Sequence, residues 1–148
     1  MKKRRKKLNL FKSHGFKLNR LSNTASTQLE NELMRKYDVT LSQWAVLAIV
    51  WEHEGIRSSD LQEILHVKVS TASGVIKRME KKGLIVRKKN REDRREMHLY
   101  STELSKNMAV EVVETVKELN REMLHGFSAE EKELFMNLMD RAYKNLTQ

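Results

Sequence analysis

Apolar positions recur along this chain in two rhythms, one of 3.6 residues and one of two, and the first dominates. Leu18, Leu21, Ala25, Leu29 and Leu33 fall at steps of three and four and predict one face of a first helix. The segment DVTLSQ interrupts it. Thr40, with Gln43 three residues later, reads as a capping box opening a second helix, and WAVLAIVW is apolar nearly all round, so that helix is expected to be buried. Gly55 suits a helix end. IRSSDLQEIL restarts, with Ser59 as expected cap and Gln62 three residues on, and gives a short helix to about Leu65. HVKV follows as a turn, and Ser70 is the expected cap of the next helix. There Ala72, Val75, Ile76 and Met79 make a buried stripe at i, i+3, i+4 and i+7 ending at Gly83, while Thr71, Ser73, Gly74, Lys77, Arg78 and Lys81 face the other way.

The rhythm of two appears once. LIVRK and EMHLY carry β-type residues with partial alternation, Met97 and Leu99 pointing one way and Glu96, His98 and Tyr100 the other, which predicts a hairpin with KNREDRR as its long tip. Beyond Thr102 the pattern is helical again to about Phe127. Ser128 with Glu131 then makes a capping box for a last helix holding Leu134, Phe135, Leu138, Met139, Ala142 and Leu146. Absence of proline and only five glycines permit long uninterrupted helices, and there are no internal repeats. The expected fold is mainly α with a small β-hairpin, built as a single domain.

Charge sharpens this picture because it is uneven. The formal net charge is +9, with six Lys or Arg and no acid in residues 1–7, and eleven basic residues against three acidic (Glu80, Glu92, Asp93) in residues 68–95. The remainder is net acidic. Basicity therefore belongs to a tail and one central segment, and it favours an anionic partner, nucleic acid or an acidic membrane surface. The tail KKRRKK is open to three readings: a minor-groove arm, an RNA or membrane contact, or a solvated, disordered terminus. Disorder in the free protein is the expectation, with nonspecific phosphate attraction as its effect.

A short helix, a four-residue turn and a second helix with a polar, basic outer face is the plan of a helix-turn-helix, whose second helix lies in the DNA major groove. The segment running from Lys68 through Ser70, Thr71, Ser73 and Gly74 allows close backbone approach, offers free N–H groups to phosphate and hydroxyls to base edges, and Lys77 and Arg78 lie one turn on. Any amphipathic helix after a turn shares that look. The hairpin shifts the balance, because Lys89, Arg91, Arg94 and Arg95 on a two-stranded ribbon have no purpose in a core. Arginine entering a narrow minor groove supplies one, and Asp93 is expected to hold a guanidinium in a bidentate pair. The apolar set from Val110 to Leu146 is too large for one small lobe to cover, which predicts a homodimer.

TLSQWAVLAIV and SSDLQEILHVKVSTASGVIKRMEKKGLIVRKKNREDRREMHLYST resemble the MarR family of winged helix-turn-helix transcriptional regulators, from about residue 12 onward. The likeness is most specific over Ser70 to Arg95, where the wing's Asp-x-Arg is Asp93 and Arg95. The resemblance implies a homodimer with intertwined first and last helices, two lobes reading a pseudo-palindromic double-stranded DNA operator, Ser70, Thr71, Ser73, Lys77 and Arg78 on the recognition helix, Arg95 as the minor-groove arginine and Asp93 as its partner. It also implies a repressor relieved by a small-molecule effector, with Tyr37, Trp44, Trp51, Phe127 and the eight methionines as candidate lining of a pocket between lobe and dimer helices; ordinary core packing is the stronger reading of each one singly, and no ligand residue is assigned. On this basis residues 1–9 are the basic tail, 10–148 one domain, 10–38 and 102–148 dimerisation helices, and 39–101 the DNA-binding lobe. LYSTELSKN departs from the family's usual Leu-Thr followed by glycine, and the basic tail is not a general family feature.

Other classes fare worse. There is no G-x-S-x-G, Gly-rich phosphate loop or H-E-x-x-H, so no enzyme is expected, and no cofactor. No cysteine is present, which removes disulfides, thiolate zinc sites and thiol redox switches. His14, His53, His66, His98 and His125 never fall at i, i+3 or i+4, and WEHEG puts its acid and histidine neighbours on different sides of a helix end, so no metal ligand is assigned. No apolar run reaches a membrane span and LNLFKSHG is too polar for a signal-peptide core, so a cytoplasmic location is expected. The remaining alternatives are a nonspecific nucleoid or RNA-binding protein and a metal-sensing regulator.

Overall fold

A computed structural model describes residues 9–90, 93 and 95–147. After a 3-10 turn at Leu10–Lys12, α1 runs over His14–Tyr37, with the Ser13 hydroxyl accepting the Phe16 N–H, and stops at Asp38 in the left-handed conformation (φ 54°). α2 (Leu41–Glu52) opens with the expected box: the Gln43 N–H donates to Thr40 Oγ1 at 3.2 Å and the Thr40 N–H to Gln43 Oε1 at 3.1 Å. Gln43, Val46, Leu47 and Val50 are buried, as an all-round apolar helix requires.

Two caps differ from expectation. α3 (Ser58–Leu65) begins two residues earlier, with Arg57 as N-cap, and the Ser59 hydroxyl donates to Asp60 Oδ1 at 3.4 Å instead of capping. α4 (Val69–Lys81) has Lys68 as N-cap, so Ser70 sits inside its first turn, exposed. The turn between them is three residues, made sharp by His66 in the left-handed region (φ 50°), whose N–H closes α3 on Gln62 and Glu63 carbonyls. The buried stripe of α4 is Ala72, Val75, Ile76 and Met79, as its spacing dictates.

The hairpin is β2 (Ile85–Lys89) against β3 (Met97–Ser101), antiparallel, with Ile85 opposite Ser101 and Lys89 opposite Met97. It is not alone. A two-residue strand β1 (Ile56–Arg57), between α2 and α3, pairs with the other edge of β3, so the sheet order is β1-β3-β2 and β3 is its central strand. Two residues are too few for a periodicity to show, and the helical spacing of IRSSDLQEIL masks the strand. Leu99 in β3 is fully buried and joins Val39, Val46, Leu47, Val50, Leu61, Val75, Ile76, Met79, Leu84 and Ile85 in one core; Tyr37, Trp44 and Trp51 pack against it.

α5 (Glu103–Met123) is capped by Thr102 and Ser105 reciprocally, and the Thr102 hydroxyl donates to the Gly83 carbonyl at 2.6 Å, tying the helix start to the end of α4. The helix begins cleanly without the family's glycine. It ends at Met123, four residues short of expectation, because Leu124–Phe127 form turns that include Gly126 at φ 83°. The Ser128 and Glu131 box holds at 3.2 and 2.8 Å and opens α6 (Ala129–Thr147). None of the residues of α6 is buried, and Leu134, Met136, Leu138, Tyr143 and Leu146 stand exposed. Among the described residues no helix is long and apolar enough to cross a membrane.

Candidate nucleic-acid interface

The polar face of α4 is presented to solvent because its opposite stripe is fixed in the core. Lys68, Ser70, Thr71, Ser73, Lys77 and Arg78 are exposed, and Gly74 is partly so. A Cβ placed on Gly74 would meet only Arg78 Nη1, at 3.5 Å, so this glycine leaves its stretch of helix backbone approachable. The first-turn N–H groups of α4 have no side-chain cap, which leaves donors and the positive end of the helix dipole for an anion.

The wing stands beside this helix. Ser73 and Val69 of α4, Ser58, Ser59 and Gln62 of α3, and Arg87, Arg95 and Glu96 of the hairpin line one cleft of about 280 Å³, with Arg57 of β1 at its wall. The Ser73 hydroxyl of α4 and Arg95 of the hairpin, separated by 22 positions in sequence, thus line the same space. Lys89 is exposed at the end of β2, and Asp93 and Arg95 are exposed in the loop. Arg91 and Arg94 lie outside the described residues.

Asp93 shapes the wing turn through the main chain: its Oδ1 accepts the backbone N–H of Arg95 at 2.9 Å, and its carbonyl accepts the Glu96 N–H at 3.0 Å. Arg87 is committed to Glu80 of α4 at 2.7 Å, fastening β2 to that helix.

A second set of polar contacts at the wing base was invisible in the sequence. Arg57 donates from Nε to Asp60 Oδ2 at 2.8 Å and from Nη1 to Glu96 Oε1 at 3.3 Å, across 39 positions. Glu96 Oε2 also accepts from Asn90 Nδ2 at 3.2 Å, and His98 Nε2 lies 3.4 Å away. His98 Nδ1 sits 2.7 Å from the Gly55 carbonyl, which can only accept, so that nitrogen carries a proton. Asn90, His98 and Arg57, in that order, hold the Glu96 carboxyl below its ordinary value; Arg57 does the same for Asp60, and Asp60 then Glu96 raise Arg57. Glu54 anchors the other end of β3. It accepts the Ser101 N–H at 3.1 Å and the Ser101 hydroxyl; burial pushes its carboxyl up, but these bonds and Lys106 more than offset that and leave it low.

The aromatic residues that the resemblance placed near a pocket divide. Tyr37 donates or accepts at Thr115 Oγ1 (3.0 Å) between α1 and α5, and Trp44 and Trp51 pack on each other with ring centres 6.0 Å apart. Phe127 lines an open cleft of about 430 Å³ with Leu134, Phe135 and Leu138. No group of three or more His, Asp or Glu among the described residues is placed to hold a metal ion.

Comparison with known proteins agrees with this geometry. The MarR family model matches residues 39–97, the stretch from the start of α2 into β3. The chain is 33% identical over 104 residues to the organic hydroperoxide resistance transcriptional regulator of Bacillus subtilis (strain 168), covering 68% of this chain and 71% of that one. Among solved structures, a probable transcriptional regulator from Pseudomonas aeruginosa superposes with a TM-score of 0.80 at 25% identity, over 90% of this chain and 98% of its own. A putative MarR family regulator from Listeria monocytogenes, complexed with 26mer DNA, gives 0.83 at 23% identity, over 91% and 89%. The chain belongs to the MarR family of DNA-binding transcriptional regulators and has its winged helix-turn-helix fold.

Proposed function

We propose that the protein is a homodimeric, sequence-specific regulator that binds a pseudo-palindromic double-stranded DNA operator and represses until a small-molecule effector releases it. The observation that carries this reading is the shared cleft: hydroxyls of α3 and α4 and Arg95 of the wing converge there, so one rigid lobe presents a groove-reading helix and a minor-groove arginine together. Ser70, Thr71, Ser73, Lys77 and Arg78 read or grip the major groove in this scheme, Lys68 and Lys89 contact phosphate, and Arg91, Arg94 and Arg95 belong to the wing.

Residues 39–101 form the reading lobe, and 10–38 with 102–148 form the dimer; the fully unburied α6 supports the second assignment. Two lobes then meet half-sites about one helical turn, roughly 34–36 Å, or a multiple apart. Release by an effector is supported by a cavity of about 260 Å³ behind α4, between Leu41 and Ala45 of α2 and Thr71 and Val75, where a small apolar ligand would press on the recognition helix. The Bacillus relative is named for organic hydroperoxides. This chain has no cysteine, so sensing a peroxide by thiolate oxidation is closed to it.

The test is selection of duplexes from a random pool, followed by titration of the winner and a scrambled duplex across a salt series. A palindrome bound at least ~10³ tighter than the scramble at physiological salt supports the reading. Arg95→Ala should then weaken binding and lower the salt slope by about one. Equal binding of both duplexes, collapsing together with salt, would show generic phosphate attraction and a packaging or RNA-binding role.

A further inference from the structure

Glu96 is a carboxylate on the wall of a cleft that, on the reading above, receives DNA phosphates. By charge alone it opposes binding. Yet each of its polar atoms is engaged: the backbone N–H on the Asp93 carbonyl and the backbone carbonyl on the Asn90 N–H, both at 3.0 Å, Oε1 on Arg57, and Oε2 on Asn90 with His98 in reach. These partners come from four places. Asn90 leaves β2, Asp93 lies in the wing loop, His98 is within β3, and Arg57 ends β1 and reaches Asp60 in α3.

We propose that Glu96 is a positioning residue for the DNA-binding wing: it locks the Arg95-bearing loop to the start of the helix-turn-helix through Arg57 and Asp60. The inference rests on the DNA-binding reading for its purpose and on the bond pattern for its substance. Arg95 is the residue immediately before Glu96, so the side chain that fixes Glu96 also fixes the main chain from which Arg95 projects. In a hairpin anchored elsewhere by the Arg87 pair with Glu80 and by Glu54 on Ser101, this contact joins the loop end of the wing to α3. A loop ordered before DNA arrives loses less freedom on binding, and its arginine meets the groove at one angle. Arg57 is held by two carboxylates, so its own charge toward phosphate is largely spent, consistent with a structural tie instead of a direct grip.

The charge of Glu96 gives the two accounts opposite signs. Removing a carboxylate from a phosphate-facing surface strengthens DNA binding if that carboxylate acts only through its charge, by electrostatics of the kind that sets salt dependence. Removing the tie weakens binding although the protein becomes more positive.

The experiment uses the full chain, with Glu96→Gln and Glu96→Ala each made in the wild-type and Arg95→Ala backgrounds, and urea midpoints to show that each variant folds. Backbone ¹⁵N relaxation of Asn90 and Arg95 is recorded in the free protein, and affinity for the selected duplex at two salt concentrations. Positioning predicts lost order at both amides in Glu96→Ala and binding weakened about fivefold to tenfold, in the range for members of one hydrogen-bond network, with less than about twofold further loss in the Arg95→Ala background. The isosteric Gln variant keeps the Asn90 bond but loses charge assistance from Arg57, and should fall between. Unchanged order with equal or tighter binding overturns the proposal. A wild-type protein without duplex preference would instead remove the DNA reading, while amide relaxation still decides whether Glu96 holds the wing.

Discussion

Leu134 and Leu138 lie one turn apart on α6 and are 56% and 48% exposed on the single chain. Replacing both by serine tests whether a second copy covers them. Full burial of a leucine side chain is worth about 1.5–3 kcal/mol, so covering the half still exposed contributes about 0.8–1.5 kcal/mol at each position. Two positions on each of two protomers make about 3–6 kcal/mol, because a two-fold interface uses every contact twice. The dimer dissociation constant should therefore rise about 10²-fold to 10⁴-fold, at roughly 1.4 kcal/mol per tenfold. Sedimentation equilibrium over a dilution series reads this directly, with Lys144→Ser on the same helix as control. The reasoning is refuted if the wild type sediments as a monomer at every concentration, or if the double variant dissociates where the wild type does.

Leu61→Ala removes a fully buried side chain of α3 from the lobe's core and should cost about 2.7–5 kcal/mol, read as a drop in the urea midpoint. Thr102→Ala removes both the α5 cap and the bond to the Gly83 carbonyl, and a loss of about 1–2 kcal/mol is expected by the same assay. Glu96, Asp60 and Glu54 are held below their ordinary values of 4.5, 3.8 and 4.5, so the stability they contribute is complete above those values and is lost as pH falls through the lower, folded ones. The urea midpoint should decline with acidification below about pH 4.5, less steeply in Glu96→Ala; a pH-independent midpoint would contradict it.

What could be read from the sequence was local. The boxes at Thr40 and Ser128 place both partners within four residues, and the stripe of α4 lies within eight, so spacing alone located them. Ser59 and Ser70 misled for a related reason: serine is a good cap at several offsets, and the N-caps are instead Arg57, the last residue of β1, and Lys68, which follows the turn at His66. Strand β1 exists only because β3 offers it an edge, and the Arg57, Glu96 and Glu54 contacts span 39 to 47 positions. No periodicity reports such pairs. The one available signal was an arginine immediately preceding a helix start, in IRSSD, where a cap would be expected.

α5 leaves the sheet at Thr102, immediately after β3, and runs unbroken to Met123 before the chain turns into α6. A helix of that length spans about 32 Å, which in the proposed dimer makes it a lever arm with its fulcrum at the dimer end. A tilt of only about 5° there carries the far end about 3 Å sideways, close to the rise of one base pair. In the proposed dimer the distance between the two copies of α4 is thus geared to small adjustments far from the DNA, and the half-site spacing of the proposed operator becomes a gauge of the angle at which the two copies meet.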